Sequence, residues 1–361
     1  MKIVLQMFSF RRGRSDFFVV KQNDKVDIFT VASLANVSPA TVSRTFNHPN
    51  LVRLETRKRI EKVIEESGYI RNRAAQAMHG KRSGTIGLIV PTVTNAIFSE
   101  MIQSFSDAIS ENGFTLLMAT HGFNLRKEYE ILRKLLEHRV DGVALIGLDH
   151  AEATYQLVER QGVPTVAGWN YSESSRISCI GADNREAGAV AAEHLVALGH
   201  QRIGMIFPEL DGNDRARMRF EGALSVFSSA GIDTPESFRA RSPYEFGRAK
   251  AVGAEILGGP NRPTALLCGN DIIALGSMYA ARHLGLDVPT CVSIVGIGDF
   301  DGSADFEPAL SSVRIPAHRI GTRVGHHLVS AIAGNAEPGI TRIRFDVDMI
   351  ARKTSIGPIR K

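Results

Sequence analysis

Two hydrophobic rhythms divide the chain. Up to about residue 70 the apolar positions fall at helical spacing. Ile28, Val31, Ala32 and Ala35 follow the i, i+3, i+4, i+7 pattern of a short helix with one buried face. Ser38 then suits a helix N-cap, and Pro39 suits the first helical position, where its missing N–H costs nothing. Along the second helix the spacing turns Val42 and Phe46 inward together, and Pro39, Ala40 and Arg44 outward. Asn36 falls in the tight turn between the two helices and tolerates the left-handed backbone such turns often need. A third helix is predicted from Leu54 to Ser67, with Ile60, Val63 and Ile64 on one face and Arg57, Lys58, Arg59 and Lys62 around it.

From Thr85 the rhythm changes. Short apolar, largely β-branched runs at 85–90, 114–119, 142–146 and 163–167 alternate with helical stretches at 98–111, 127–138 and 153–161. After Asn184 the alternation repeats: helix to 198, strand 202–207, helices 216–230 and 246–257, strand 265–268, helix 272–284, strand 292–296. Such alternation means parallel sheets wound by right-handed crossovers, and two units in series mean two lobes. The fold class expected is an all-α helix-turn-helix headpiece followed by an α/β two-lobed core of parallel sheets flanked by helices.

Ligands of such sheets sit at the carboxyl ends of the strands, and with two lobes that place is the cleft between them. Candidate effector contacts are therefore residues just after strands: Thr94, Asn95 and Phe98, Asp183, Arg215 and Arg219, Tyr244, Asn270 and Asp299. Arginine is the planar, permanently charged fork that suits a carboxylate or phosphate, while Asp and Asn suit hydroxyls. Arg215 and Arg217 also read as partners of Glu209, Asp211 and Asp214, and Thr94-Asn95 as turn and helix-cap residues.

Composition sharpens the picture through where the charge lies. Residues 1–82 hold 16 Lys and Arg against 7 Asp and Glu, a net of +9, whereas the remainder is net −4. A basic head on a mildly acidic body suits a DNA binder with a separate regulatory domain. Cys179, Cys268 and Cys291 lie far apart without metal-ligand spacing, so neither a zinc site nor any cofactor is expected, and the thiols read as free. No apolar run approaches a membrane span, and Arg11-Arg12-Gly13-Arg14 follows the short apolar start instead of preceding it, unlike a signal peptide. The expectation is a cytoplasmic protein with no membrane partner. The histidines stand without a nucleophile elbow, and no Walker or dinucleotide glycine fingerprint follows a strand, so no enzyme is expected.

The order of Val31-Ala32, Ala35, Val37-Ser38, Thr41-Val42-Ser43-Arg44, Asn47, Thr56-Arg57, Gly68-Tyr69 and Asn72-Arg73-Ala74 resembles the headpiece of the lactose-repressor (LacI) family of bacterial transcription regulators. The resemblance runs from Val26 through nearly all of the core. It implies a DNA-contacting set of Ser38, Pro39, Ala40, Thr41, Ser43, Arg44, Asn47, Asn72, Arg73 and Met78, the last as a minor-groove wedge in a hinge helix that orders on DNA. Two departures stand in that hinge: Met78 where the family usually has Leu, and Arg71 where it has Pro. The resemblance further implies a core of periplasmic-binding-protein shape, crossed three times by the chain, near Leu198, Val313 and Phe345. Asp183, Arg219 and Asn270 match effector contacts, and Gly298 stands where an effector-binding acid is frequent, leaving Asp299 or Asp301 to replace it.

The domains expected are an N-terminal extension at 1–25 (an arm or a disordered tail), a helix-turn-helix domain at 26–70, a hinge at 71–83 and a core at 84–361. Within the core, one lobe takes about 84–198 and 314–345, the other about 199–313 and 346–361. The partners are double-stranded operator DNA, a small-molecule effector and a second copy of the chain, since a pseudo-palindromic operator calls for a homodimer. Thr94-Asn95, Phe98, Glu100, His121-Gly122-Phe123, Glu128-Tyr129 and Gly298-Asp299-Phe300 resemble the gluconate-regulator branch, which implies a sugar or sugar acid as effector. The rival reading is a cytoplasmic sugar-binding protein or enzyme with a vestigial DNA head.

Overall fold

A computed structural model describes residues 26–71, 82–94 and 96–359. The predicted extension at 1–25 and the proposed contacts Asn72, Arg73, Met78 and Asn95 lie outside the described residues. The chain forms two compact units, divided after residue 79.

The first unit is built on three helices, α1 (Ile28–Leu34), α2 (Pro39–Asn47) and α3 (Leu54–Ser67). Local chemistry sets their ends. Asp27 accepts from the Thr30 N–H at 2.8 Å to start α1, and the Ser38 hydroxyl accepts from the Thr41 N–H at 3.2 Å to start α2. Asn36 takes φ 50° in the turn between them, and Gly68, at φ 63°, ends α3. Val31, Ala32, Ala35, Val42 and Ile60 form the core.

Phe46 does not join Val42 inside; it is 37% exposed, and Thr45 is the buried residue of that turn. The stripe of α2 facing α1 and α3 runs through 42 and 45, three residues apart, and the Thr45 hydroxyl is satisfied by the Thr41 carbonyl at 3.1 Å. Phe46 lies a further 100° round the helix. Its ring packs 6.4 Å from that of Tyr69, with the Arg71 guanidinium 5.2 Å above it.

The second unit holds two six-stranded sheets. The first contains β1 (Thr85–Val90), β2 (Thr115–Thr120), β3 (Gly142–Ile146), β4 (Thr165–Asn170) and β5 (Ser178–Ala182), the second β6 (Ile203–Phe207), β7 (Arg239–Arg241), β8 (Ala265–Cys268), β9 (Ser293–Gly298) and β10 (Ser311–Arg314). The last two strands part company: β11 (Arg342–Phe345) pairs parallel with β5, and β12 (Asp348–Ile350) pairs antiparallel with β10. Both sheets thus repeat one order, with the second strand outside the first and the third to fifth on its other side. β3, β6, β8 and β9 are buried at every residue, as befits parallel strands covered on both faces.

The helices of this unit are α4 (Ala96–Ser110), α5 (Leu125–Glu137), α6 (Glu152–Gln161), α7 (Asn184–Ala197), α8 (Asp214–Ser229), α9 (Phe246–Leu257), α10 (Asp271–His283) and α11 (Ala317–Ala333). The first passage between lobes lies at 182–184, not near Leu198, because α7 packs against α8 and the strands of the second sheet. Glycines allow that packing. A Cβ at Gly188 would stand 1.9 Å from the Arg219 carbonyl oxygen, and one at Gly222 would stand 2.0 Å from that of Arg185. The chain returns to the first lobe between Arg314 and Ala317, where α11 covers the first sheet, and passes a third time between Phe345 and Asp348.

Candidate functional site

On the first unit, α2 presents Ala40 and Arg44 to solvent, with Pro39, Thr41 and Ser43 half-buried beside them. Ser38 is engaged in the cap and also shares a 2.9 Å hydroxyl contact with Thr41. Asn47 is held from both sides: its Nδ2 donates to Ser43 Oγ at 3.3 Å, and its Oδ1 accepts from Arg71 at 2.6 Å.

In the second unit, the loops at the carboxyl ends of β1, β2, β6 and β7 enclose a cavity of about 590 Å³, lined among others by Pro91, Thr94, Phe123, Lys127, Asn213 and Tyr244. Phe123 of the first lobe stacks on Tyr244 of the second, with centroids 5.8 Å apart. Asn213 Nδ2 donates to the Tyr244 hydroxyl at 3.1 Å.

Deeper in the cleft the first turn of α8 reaches into the opposite lobe. Asp214 Oδ2 accepts from the Leu148 N–H at 2.7 Å and from Asn170 Nδ2 at 2.6 Å. Arg215 is buried; its Nη1 donates to Asp214 Oδ1 at 2.9 Å and to the Ile146 carbonyl at 3.3 Å. Its guanidinium also lies 6.0 Å from the rings of Phe98 and Phe123. Gly147, at φ 91°, leaves the room this takes, since a Cβ there would meet Arg215 Nη1 at 2.3 Å. Arg217 pairs with Asp149 at 3.2 Å.

The polar chain continues inward. Asn184 Nδ2 donates to Asn170 Oδ1 at 2.8 Å, Arg219 Nε donates to Asn184 Oδ1 at 2.7 Å, and Arg219 Nη1 donates to the Gly269 carbonyl at 3.0 Å. Burial pulls the Arg219 guanidinium down to about 10, the largest cause being desolvation of its charge. Its hydrogen-bond partners are neutral acceptors, and among the described residues no carboxylate pairs with it.

The other predicted contacts take structural posts. Asp183 caps α7, accepting from the Arg185 and Glu186 N–H groups at 2.9 and 3.2 Å. Asn270 caps α10 through the Ile273 N–H at 3.0 Å. Asp299, at φ 55°, pairs with Arg314 at 2.6 Å and Arg352 at 2.5 Å. Asp271, fully buried, accepts from Ser312 Oγ at 2.5 Å, and burial pushes its carboxyl up to about 6. So Thr94 and Tyr244 line the cavity, Arg215 crosses between the lobes beside Phe98, and Arg219 lies buried in the polar chain, while Asp183 and Asp299 are held by their own neighbours. Sequence reasoning missed Asp214, Asn170 and Asn184 as the links between lobes. The available signal was polar side chains at strand ends, because β4 runs three residues past the apolar run predicted at 163–167 to end on buried Asn170.

The headpiece matches the family model described as bacterial regulatory proteins, lacI family, over residues 28–72, and residues 192–355 match a periplasmic binding protein-like domain. The HTH-type transcriptional repressor PurR of Escherichia coli is 30% identical over 309 residues, 85% of this chain and 90% of the relative. The chain belongs to the LacI family. The HTH-type transcriptional regulator GntR of Pseudomonas aeruginosa is 28% identical over 327 residues, covering 90% of this LacI-family chain and 94% of the relative. Among solved structures, the lac repressor dimer bound to operator and the anti-inducer ONPF aligns with a TM-score of 0.80 at 26% identity, over 92% of this chain and all of the other. This LacI-family member is a DNA-binding transcriptional regulator with a helix-turn-helix headpiece and a two-lobed, periplasmic-binding-protein-like effector core. Among the described residues, no helix is long and apolar enough to cross a membrane.

Proposed function

We propose that this regulator is a cytoplasmic homodimer, not an enzyme, that reads a pseudo-palindromic operator through α2 and responds to a sugar acid such as gluconate bound in the cleft. The observation that carries the ligand class is Arg219, a buried cation whose hydrogen bonds go to neutral acceptors. A carboxylate entering the cleft supplies the direct ion-pair partner that Arg219 lacks, its nearest acids Asp214 and Asp271 acting on it only through space, and Tyr244, Thr94 and Asn213 offer partners for the hydroxyls of a polyol. Arg215 and Asp214 hold the lobes together, so an effector that engages both lobes works by biasing this closure. Asn95 keeps a proposed role in the cleft. On the DNA side, Arg44 reads a base edge, Ser38, Pro39, Ala40, Thr41, Ser43 and Asn47 support or flank it, and Asn72, Arg73 and Met78 keep the roles the family pattern implies.

A dimer is supported by the likeness to the lac repressor, solved as a dimer bound to operator.

Calorimetry with gluconate and glucose tests the ligand. The wild type should prefer gluconate, and Arg219→Ala should lose about 2–5 kcal/mol of that affinity while operator binding stays nearly intact. A mutant that binds gluconate as the wild type does, or a wild type indifferent to the carboxylate, overturns the reading.

A further inference from the structure

Beneath the loop that closes the cleft lies a buried polar cluster to which the effector reading gives no contact. Glu128, in the first turn of α5, and His150, after β3, are both buried, and His121 beside them is 3% exposed. We propose that Glu128 and His150 share one buried proton and, through it, hold the 147–148 loop where it receives Asp214 from the opposite lobe.

Donors and acceptors around His150 fix the number of protons the pair holds. His150 Nδ1 stands 2.9 Å from Glu128 Oε1, and its Nε2 stands 3.1 Å from the Gly147 carbonyl. A carbonyl only accepts, so Nε2 carries a hydrogen. A neutral imidazole has one donor and one acceptor, which leaves Nδ1 a bare lone pair facing Oε1. The 2.9 Å contact is a hydrogen bond only if Nδ1 is protonated as well or if Glu128 itself carries the proton. Either way the pair holds one proton more than a carboxylate and a neutral ring.

The surroundings leave that proton no substitute. His121 Nε2 lies 3.8 Å from Glu128 Oε2, beyond hydrogen-bond reach, and burial holds its imidazolium below the usual histidine range. From α8, Arg215 and Asp214 face the cluster and are paired with each other; Asp149 is paired with Arg217; Tyr155 of α6 lies under Arg176. The Tyr155 hydroxyl donates to the Leu148 carbonyl at 2.6 Å. The loop's two carbonyls are thus pinned by His150 and Tyr155, while its Leu148 N–H reaches Asp214 across the cleft. Loss of the proton to solvent sets a buried carboxylate against an imidazole lone pair, which desolvation makes costly. The one hydrogen a neutral ring keeps goes to Nδ1 against the carboxylate, its stronger acceptor, so Nε2 can no longer donate to the Gly147 carbonyl, and Gly147 is released. Glu128 and His150 are positioning residues: they act on Asp214 through the 147–148 loop.

This assignment rests on the cleft reading above, and its test separates the two. The full chain is followed by hydrogen exchange from about pH 6 to about pH 9.5, with Leu148 read as a protection factor so that the intrinsic pH dependence of exchange cancels. Once the pair releases its proton, wild-type protection should fall about tenfold per pH unit, the slope for one proton. Glu128→Gln should keep the protection and lose the slope, because its amide donates to His150 Nδ1 while Nε2–H stays on Gly147. His150→Ala should lower protection at every pH; if it fails to fold, the wild type and Glu128→Gln still decide. Level wild-type protection, or a Gln variant that slopes like the wild type, overturns the shared proton. If protection slopes as expected but effector releases operator equally well at the pH where Leu148 is deprotected, the proton pair stands and closure is overturned as the effector's route.

Discussion

At the scale of single residues, a side chain's neighbours decided its post more than its chemical type did. Asp183 and Asn184 are adjacent at the passage between lobes, and the acid is the one that attracts attention as a ligand. The structure gives the acid to the cap of α7 and the amide to the polar chain. The link from Asn170 Oδ1 to Arg219 Nε needs one donor and one acceptor on the same side chain, which an ionised carboxylate cannot supply. The signs of Ser38 and Asn36 were legible because caps and tight turns are local. Phe46 was not, because the spacing 42–46 and the spacing 42–45 both suit a helix face, and only the position of α1 and α3 chooses. Arg44, exposed on the outer face of α2, carries the residue-scale prediction. Arg44→Ala should cost about 1–3 kcal/mol on operator and relax preference at one base pair. Titration of operator and scrambled duplexes at matched salt is the check; equal losses on both would reduce Arg44 to a phosphate contact.

At the scale of elements, strand-helix alternation announced the two parallel sheets, and most runs fell within a few residues of the strands and helices found. Alternation does not say which sheet a helix covers. That is why α7 was assigned to the first lobe, although its Ala187, Gly188, Ala191 and Ala192 pack on the second. Small residues mark a helix that approaches another closely, but their partner α8 lies beyond β6 in sequence. The closeness has a measurable cost. Gly188→Ala puts a methyl group where the Arg219 carbonyl stands and should destabilise by about 1–3 kcal/mol as the helices part. Gly247→Ala is the matched control: nothing lies within 4 Å of its added Cβ, and it should stabilise by about 0.4–1 kcal/mol. Urea unfolding of both variants tests the pair, and a Gly188→Ala protein as stable as its parent would refute the packing argument.

At the scale of the whole molecule, the C-terminal segment closes the second lobe. His200 Nε2 donates to the Ile356 carbonyl at 2.8 Å, and His194 Nε2 meets Ser355 Oγ at 2.9 Å. Burial lowers both imidazolium pKa values, and His200 further lowers that of His194. A histidine depressed in the folded state contributes stability that is full above the ordinary value of about 6.5 and is lost as pH falls through that region. Between about pH 7 and about pH 5 the wild type should therefore lose more melting temperature than His200→Gln does. Asp271, whose raised carboxyl works the other way across this window, is common to both proteins, so the difference between them is the measure, and two parallel melting curves would show that the His200 imidazole does not resist protonation.

The three passages of the chain between lobes also set the mechanics of the molecule. Each is only a few residues long, at 182–184, 314–317 and 345–348. Two solid bodies have six relative freedoms, and three short tethers at one edge suppress sliding, separation and most tilts, leaving chiefly one rotation about the line they define. A ligand in this cleft therefore has a single coordinate to push along. Its chemistry can set how far the lobes swing, but the direction of the swing belongs to the tethers.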